Sequence, residues 1–292
     1  MPNLARRAPI LALLILPLTF SSARAASRDW DHSFPVGAHP PVHVRTDDGR
    51  VRIHPGPDGT VKATVHWESK HWGLTSPSRE PVVRFEKTGD AVEIEVREPS
   101  AFAIFGGISE RIFVDVTVPS ECDLRVRTGD GALSLEAPLH GSFELSTGDG
   151  HVTLQGVRGD IHVTSGDGAI DGTDLDGNLF ARASDGAVRL DGRFDALDVR
   201  TGDGHVDVTA RKGSKLDTDW SVETSDATLA LLIPRDLRAT LDARTSDGRI
   251  RFDLPVTASG LDHHVIRGKI NGGGPTLRLR TGDGTLTLGT SD

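Results

Sequence analysis

A four-residue phrase, Thr-Gly-Asp-Gly, recurs along this chain at nearly constant spacing, and the spacing constrains the fold more than any other feature. It stands at Thr128-Gly129-Asp130-Gly131, Thr147-Gly148-Asp149-Gly150, Thr201-Gly202-Asp203-Gly204 and Thr281-Gly282-Asp283-Gly284. Variants stand at Ser165-Gly166-Asp167-Gly168, Ala183-Ser184-Asp185-Gly186, Thr224-Ser225-Asp226-Ala227 and Thr245-Ser246-Asp247-Gly248. The final position advances by 19, 18, 18 and 18 residues, then by 23 and 21, and at the last step by 36, twice 18. A fixed period of this size marks a solenoid.

The flanking residues keep the same register. Two residues past the phrase come Leu133, Val152, Ile170, Val188, Val206, Leu229, Ile250 and Leu286, and two further on Leu135, Leu154, Gly172, Leu190, Val208, Leu231, Phe252 and Leu288. Just before the next phrase come pairs such as Phe143 with Leu145, Ile161 with Val163, and Leu197 with Val199. Each coil thus offers two short strands of period 2, one face inward and one outward. An Asp-Gly pair also suits a hairpin turn, which would give an antiparallel sandwich or barrel. The register decides against hairpins. Stacked about 4.8 Å apart, equivalent positions put Leu on Val on Ile, and only such a column buries a core. The expected fold is all-β, a parallel β-solenoid with coils of about 18 residues, right-handed as parallel connections usually are. Its layers would make a rod on the order of 40 Å long.

Residues 26–119 read as a less regular β part that caps the solenoid, and residues 120–292 as the regular repeats. Asp47-Asp48-Gly49 is a degenerate copy of the phrase, so the solenoid pattern begins in the irregular part. Val61 to Trp67, Val82 to Phe85, Ala91 to Val96 and Arg111 to Val118 alternate apolar and polar residues as strands do. Ser69 to Pro81 reads as a loop carrying Trp72 and Leu74. The apolar stretch from Ala101 through Phe102 to Ile108 reads as a connection packed as a lid; exposed, it would mark a contact site. Pro255 to Pro275 reads as a coil without the phrase.

Residues 1–25 read as a cleaved export signal: Arg6 and Arg7, an apolar run from Ile10 to Phe20, then Ala23-Arg24-Ala25. The run is too short to span a bilayer, and no later stretch is apolar enough to do so. The expected location is outside the cytoplasm, periplasmic or at the surface. Cleavage leaves 30 basic against 42 acidic residues, a net charge of −12, which argues against nucleic-acid partners. Cys122 is alone, so no intramolecular disulfide forms, and a buried apolar role suits it.

Candidate chemistry is sparse. Asp130, Asp149, Asp167, Asp185 and Asp203 share one coil position, continued by Asp226, Asp247 and Asp283. Calcium could bridge such a column, but one acid per coil supplies few ligands. The plainer role is an Asx-turn in which Asp accepts the turn's amides while Gly takes a positive φ. The twelve His show no zinc spacing. Outward acids such as Asp171, Asp191 and Asp207, near Arg189, leave a polysaccharide lyase or hydrolase open, yet hydrolysis needs a carboxyl pair at set separation. A catalytic site breaks a repeat at one place, and no single coil carries a unique acid-rich cluster. No catalytic, cofactor-binding or metal residue is assigned, and no cofactor.

The exported N-terminus, Val114-Asp115-Val116-Thr117-Val118-Pro119, the serial phrases and Ile270-Asn271-Gly272-Gly273-Gly274-Pro275 carry a resemblance. The chain resembles the bacterial putative-adhesin family of β-strand-repeat proteins, a domain-of-unknown-function family related to auto-transporter adhesin head domains. The resemblance spans about residues 40 to 290. It implies a parallel β-solenoid outside the cytoplasmic membrane and no catalytic residues. The expected function is a non-enzymatic scaffold or adhesin that presents polar ladders to a glycan or envelope protein. The alternatives are a carbohydrate-active enzyme and an envelope-stress accessory protein. With strand Thr285 to Leu288 close to Asp292, weak end-to-end self-association is also expected.

Overall fold

The computed structural model describes residues 24–75, 79–98, 103–262 and 264–291. Most of the expected export signal therefore lies outside the described residues, as do Phe102 and part of the expected loop before Pro81. Within them the chain is all-β, without a helix. The first strands are β1 (Arg24–Pro35), β2 (Pro41–Thr46), β3 (Arg50–Pro55), β4 (Thr60–Thr75), β5 (Val82–Thr88), β6 (Ala91–Arg97) and β7 (Ala103–Val118). Next come β8 (Asp123–Arg127), β9 (Leu133–Leu135), β10 (Leu139–Thr147), β11 (Val152–Gln155), β12 (Val157–Ser165), β13 (Ile170–Ala183), β14 (Val188–Thr201) and β15 (Val206–Ala210). The last are β16 (Trp220–Thr224), β17 (Leu229–Ile233), β18 (Ala239–Thr245), β19 (Ile250–Phe252), β20 (Val256–Leu261), β21 (Val265–Ile270), β22 (Thr276–Thr281) and β23 (Leu286–Thr290).

All belong to one sheet folded into two faces. The first face runs β1, β4, β7, β3, β9, β11, β13, β14, β15, β17, β23, β19. The second runs β5, β6, β2, β8, β10, β12, β13, β14, β16, β22, β18, β21, β20. Strands β13 and β14 turn the corner and serve both faces. From β2 and β3 to β18 and β19 the pairings between layers are parallel, which selects a β-solenoid-like stack over a run of hairpins. Parallel register places Leu139 on Val157 and Phe143 on Ile161, and these side chains are fully buried. On the opposite face Val51, Leu133, Val152 and Ile170 form one such column. Gly172 leaves a gap in its column, and Leu175 fills it: a Cβ on Gly172 would lie 2.6 Å from Leu175 Cδ1.

Three expectations are corrected. The stretch from Ala103 to Ile108 is not a lid but the start of β7, paired antiparallel with Thr75 to His71 of β4. Pairing in the long β4–β7 ribbon satisfies the backbone of this apolar segment. Ser69 to Thr75 likewise belongs to β4 rather than to a loop, and Trp72 there is 59% exposed. Finally, Val256 to Ile270 is no coil; it folds as the antiparallel pair β20–β21 against β18. The chain then re-enters the stack, and β22–β23 lies between the layer of β16–β17 and the layer of β18–β19. The 36-residue step between the last two phrases thus contains a hairpin, and the final phrase is an interior one.

Candidate functional site

The repeated phrase forms one corner of every layer. In space the turns begin at Thr46, Thr128, Thr147, Ser165, Ala183, Thr201, Thr224, Thr281 and Thr245. A backbone ladder joins them: the Gly129 amide donates to Asp47, Gly148 to Gly129, Gly166 to Gly148 and Ser184 to Gly166. It continues from Gly202 to Ser184, Ser225 to Gly202, Gly282 to Ser225 and Ser246 to Gly282.

The division of labour within the phrase differs from the expected one. The turn amide is accepted by the buried Thr rather than by Asp: Gly150 N donates to Thr147 Oγ1 at 3.1 Å and Gly248 N to Thr245 Oγ1 at 3.0 Å. The same hydroxyls donate to carbonyls of the neighbouring layer, Thr147 to Gly131 at 3.1 Å and Thr245 to Gly282 at 2.7 Å, as does Thr224 to Gly204 at 3.1 Å. Among the described residues, the closing glycines of the phrase are not at positive φ. They are glycines because a Cβ on Gly150 would overlap the Gly131 carbonyl oxygen, and one on Gly168 that of Gly150. A second glycine column, Gly141, Gly159 and Gly177, does adopt positive φ, at 148°, 122° and 124°. It sits at the bend within β10, β12 and β13 and was not singled out in the sequence; its recurrence at a shared register, Gly141 beside Gly159 beside Gly177, was the available signal.

Freed from the turn amides, Asp130, Asp149, Asp167, Asp185, Asp203, Asp226, Asp247 and Asp283 are all exposed along the corner. Several of them lean toward the neighbouring layer: Asp130 Oδ1 lies 2.7 Å from the place of a Cβ on Gly148, and Asp226 Oδ1 2.8 Å from that of a Cβ on Gly282. Among the described residues no three His, Cys, Asp or Glu side chains converge as a metal site. At the N-terminal end of this corner lies an open groove of about 720 Å³, lined by Asp48, Glu98, Glu110, Asp130, Arg50 and Phe113 among others. Burial, then the like charges of Asp48, Glu110 and Asp47, raise the Glu98 carboxyl above its ordinary pKa. Arg50 stacks over Phe113, its Cζ 5.6 Å from the ring centroid.

The outward faces carry ladders of ion pairs across layers. Glu144 holds Arg125 at 2.7 Å and Arg127 at 3.0 Å. These arginines lower its carboxyl pKa, the Arg127 hydrogen bond first. Asp171, weighed as a catalytic acid, is instead shared by His151 at 3.0 Å and Arg189 at 3.3 Å, and Asp191 pairs with Arg211. Other histidines pair likewise: His54 with Asp115 at 2.8 Å, His140 with Glu121 at 2.9 Å, His39 with Asp123 at 3.0 Å. His162 stacks on Phe180 of the next layer with ring centroids 4.5 Å apart. Asp242 collects Arg280 at 2.6 Å and Arg244 at 3.2 Å; burial opposes its ionisation, but the Arg280 hydrogen bond and the charges of both arginines outweigh it and lower its pKa. Cys122 is buried beside Gly141, and burial, followed by the Asp123 and Glu121 charges, pushes its thiol up to about 12.

A parallel stack with an all-carboxylate corner and self-neutralising ladders defines a β-solenoid-like repeat protein, with its surface chemistry distributed over many layers. Residues 41–289 match the model of the Toastrack family, DUF4097, and the chain belongs to that family. No curated protein matches it. Among solved structures it is similar to a putative lipid binding protein from Parabacteroides distasonis, with 12% identity and a TM-score of 0.48, over 89% of this chain and 96% of that one. It is also similar to a putative adhesin from Bacteroides fragilis, with 10% identity and a TM-score of 0.36, over 90% of this chain and 97% of the other.

Proposed function

We propose that the protein is an exported, non-enzymatic scaffold of the cell envelope, a right-handed solenoid with coils of about 18 residues. Residues 1–25 direct export, residues 26–119 cap the stack and residues 120–292 form its body. The observation that carries this reading is the distribution of chemistry. Polar side chains recur at equivalent rungs, and two of the three acids weighed as catalytic, Asp171 and Asp191, pair with Arg189 and Arg211 of neighbouring layers. Catalysis requires reactive groups gathered at one place, whereas a ladder suits a long partner that repeats at a similar pitch. An extended glycan or an envelope protein laid along a face meets one rung after another, so many weak contacts add through a shared attachment. Among the described residues no helix is long and apolar enough to cross a membrane.

The test is a glycan array combined with an envelope-lysate pull-down, using the mature protein. Retention that strengthens with partner length supports the reading. Turnover of a polysaccharide by the purified chain, with release of shorter fragments, overturns it.

A further inference from the structure

The two faces of the stack do not end together at the C-terminal layer. On the second face, β18 is covered by β21, and β21 by β20. On the first face β19 is the last strand, and among the described residues its one partner is β23. The hairpin therefore stands as a wall two strands high beside an uncovered edge. Arg249 accepts from Leu286, and Asp253 donates to Leu288, so these positions face β23. Alternate residues of a strand direct their backbone groups to opposite neighbours, so the N–H and C=O of Ile250 and Phe252 face the open side.

The side chains of the same residues are also unfinished. Ile250 is in register with Leu286 and Phe252 with Leu288, both fully buried. Ile250 and Phe252 thus end two core columns, and Phe252 is left 42% exposed for want of a further rung. Two cavities adjoin the terminal layer. One, of about 500 Å³, lies between Ile250, Phe252 and Ile266; the other, of about 350 Å³, between Leu254, Ile233 and Ile270. Free edge groups, two truncated apolar columns and a groove roofed by β21 are together what an added strand requires.

Stacked by translation, a second copy of the chain does not fit the shelf. At the N-terminal end the first face extends three strands beyond β3, namely β7, β4 and β1, and the second face two beyond β2, namely β6 and β5. If β1 of a following copy, stacked by translation, paired with β19, its β5 would fall where β20 already stands. The end of a translated copy therefore cannot pair its β1 with β19.

From this we infer that the shelf on β19 is a strand-addition site for an extended peptide of a partner protein, with apolar residues at alternate positions and polar ones between. Its main chain would pair with Ile250 and Phe252, and its apolar side chains would complete their columns against Ile266 and Ile270. This end site is separate from the ladders of the lateral faces.

The probe is a labelled synthetic peptide, Ac-Gly-Thr-Leu-Thr-Leu-Gly-amide, whose sequence is that of residues 284–289, the stretch already seated on the other edge of β19. Its binding to the mature protein is followed by fluorescence polarisation, against a control peptide with both Leu replaced by Ser. The expected result is saturable binding, weakened about tenfold in the control peptide and by a similar factor in the Phe252→Ser protein. Hydrogen exchange of the unaltered protein should show new protection at the amides of Ile250 and Phe252, a readout that does not depend on the variant folding. Equal binding of both peptides, or no added protection at these amides, overturns the inference. Concentration-dependent dimers in sedimentation that vanish in Phe252→Ser also overturn it, by naming a second copy as the occupant.

Discussion

Thr147 and Gly131 are bound across two layers, the buried hydroxyl donating to the carbonyl at 3.1 Å while accepting the amide of Gly150 in its own turn at 3.1 Å. One oxygen thereby satisfies a donor of one layer and an acceptor of the next. Replacing Thr147 by Val keeps the shape and leaves both partners buried and unpaired. The expected loss is about 1–3 kcal/mol in urea unfolding. Thr147→Ser should recover most of it, since Ser165 holds the same place one layer on, its Oγ 3.5 Å from the Gly150 carbonyl.

Gly150→Ala probes the other half of the corner. The new methyl would overlap the Gly131 carbonyl, so the layers must part and the inter-layer bonds lengthen. Ala227 holds the same position in one layer, which shows that the stack can adjust to a methyl there. Overpacking of this kind costs about 1–3 kcal/mol, read as a lower midpoint in urea. An unchanged midpoint would remove close approach as the reason for glycine.

Glu98 sets a pH dependence with a definite sign. Its folded pKa is raised, so the protonated form favours the fold. That contribution is complete below the unfolded carboxyl range, near pH 4, and is lost as pH rises through the raised folded value. At neutral pH the protein carries a half-buried carboxylate among like charges. Glu98→Gln should raise the melting temperature at pH 7, and the gain should shrink toward pH 4. Thermal melts across this range check both statements.

Asp242 has the opposite sign. Its lowered pKa means that stability is full above the unfolded carboxyl range and is lost as pH falls through the folded value. Asp242→Asn weakens the charge-assisted bond from Arg280, which joins β22 to β18, and the one from Arg244 within β18, at a cost of about 1.5–3 kcal/mol. The variant should also lose part of the acid sensitivity of the parent, which denaturant melts at pH 3 and pH 7 would reveal.

Cys122, with its thiol pushed up to about 12 and no exposure, should stay unlabelled by maleimide at pH 8 in the native protein. Labelling should appear only with denaturant. Prompt labelling of the folded chain would place the thiol at the surface.

Much of the stack was legible because a column of Leu, Val and Ile at constant register has few other ways to be buried. Leu133, Val152 and Ile170 pair as their spacing requires. The order of layers at the C-terminal end was not legible, for the same physical reason. Leu286 and Leu288 sit on Leu229 and Leu231 as readily as on Ile250 and Phe252, since every layer offers the next an equivalent apolar pair. Repetition specifies the rung but not which rung is neighbour to which. The roles within the phrase were hidden differently. A glycine required by a positive φ and one required by a close carbonyl are the same letter, and Thr147 at a strand end gives no sign that its hydroxyl crosses to another layer.

The interior position of β22 and β23 separates the order of attachment from the order of synthesis. Among the described residues, strands β18 to β21 join the body of the sheet through those two strands. The edge on which the terminal layer and its hairpin finally rest is therefore made by residues that follow them in the chain. Tension applied at Ser291 would draw on a strand clamped along both edges, so the chain is mechanically anchored from within the stack and not from its end.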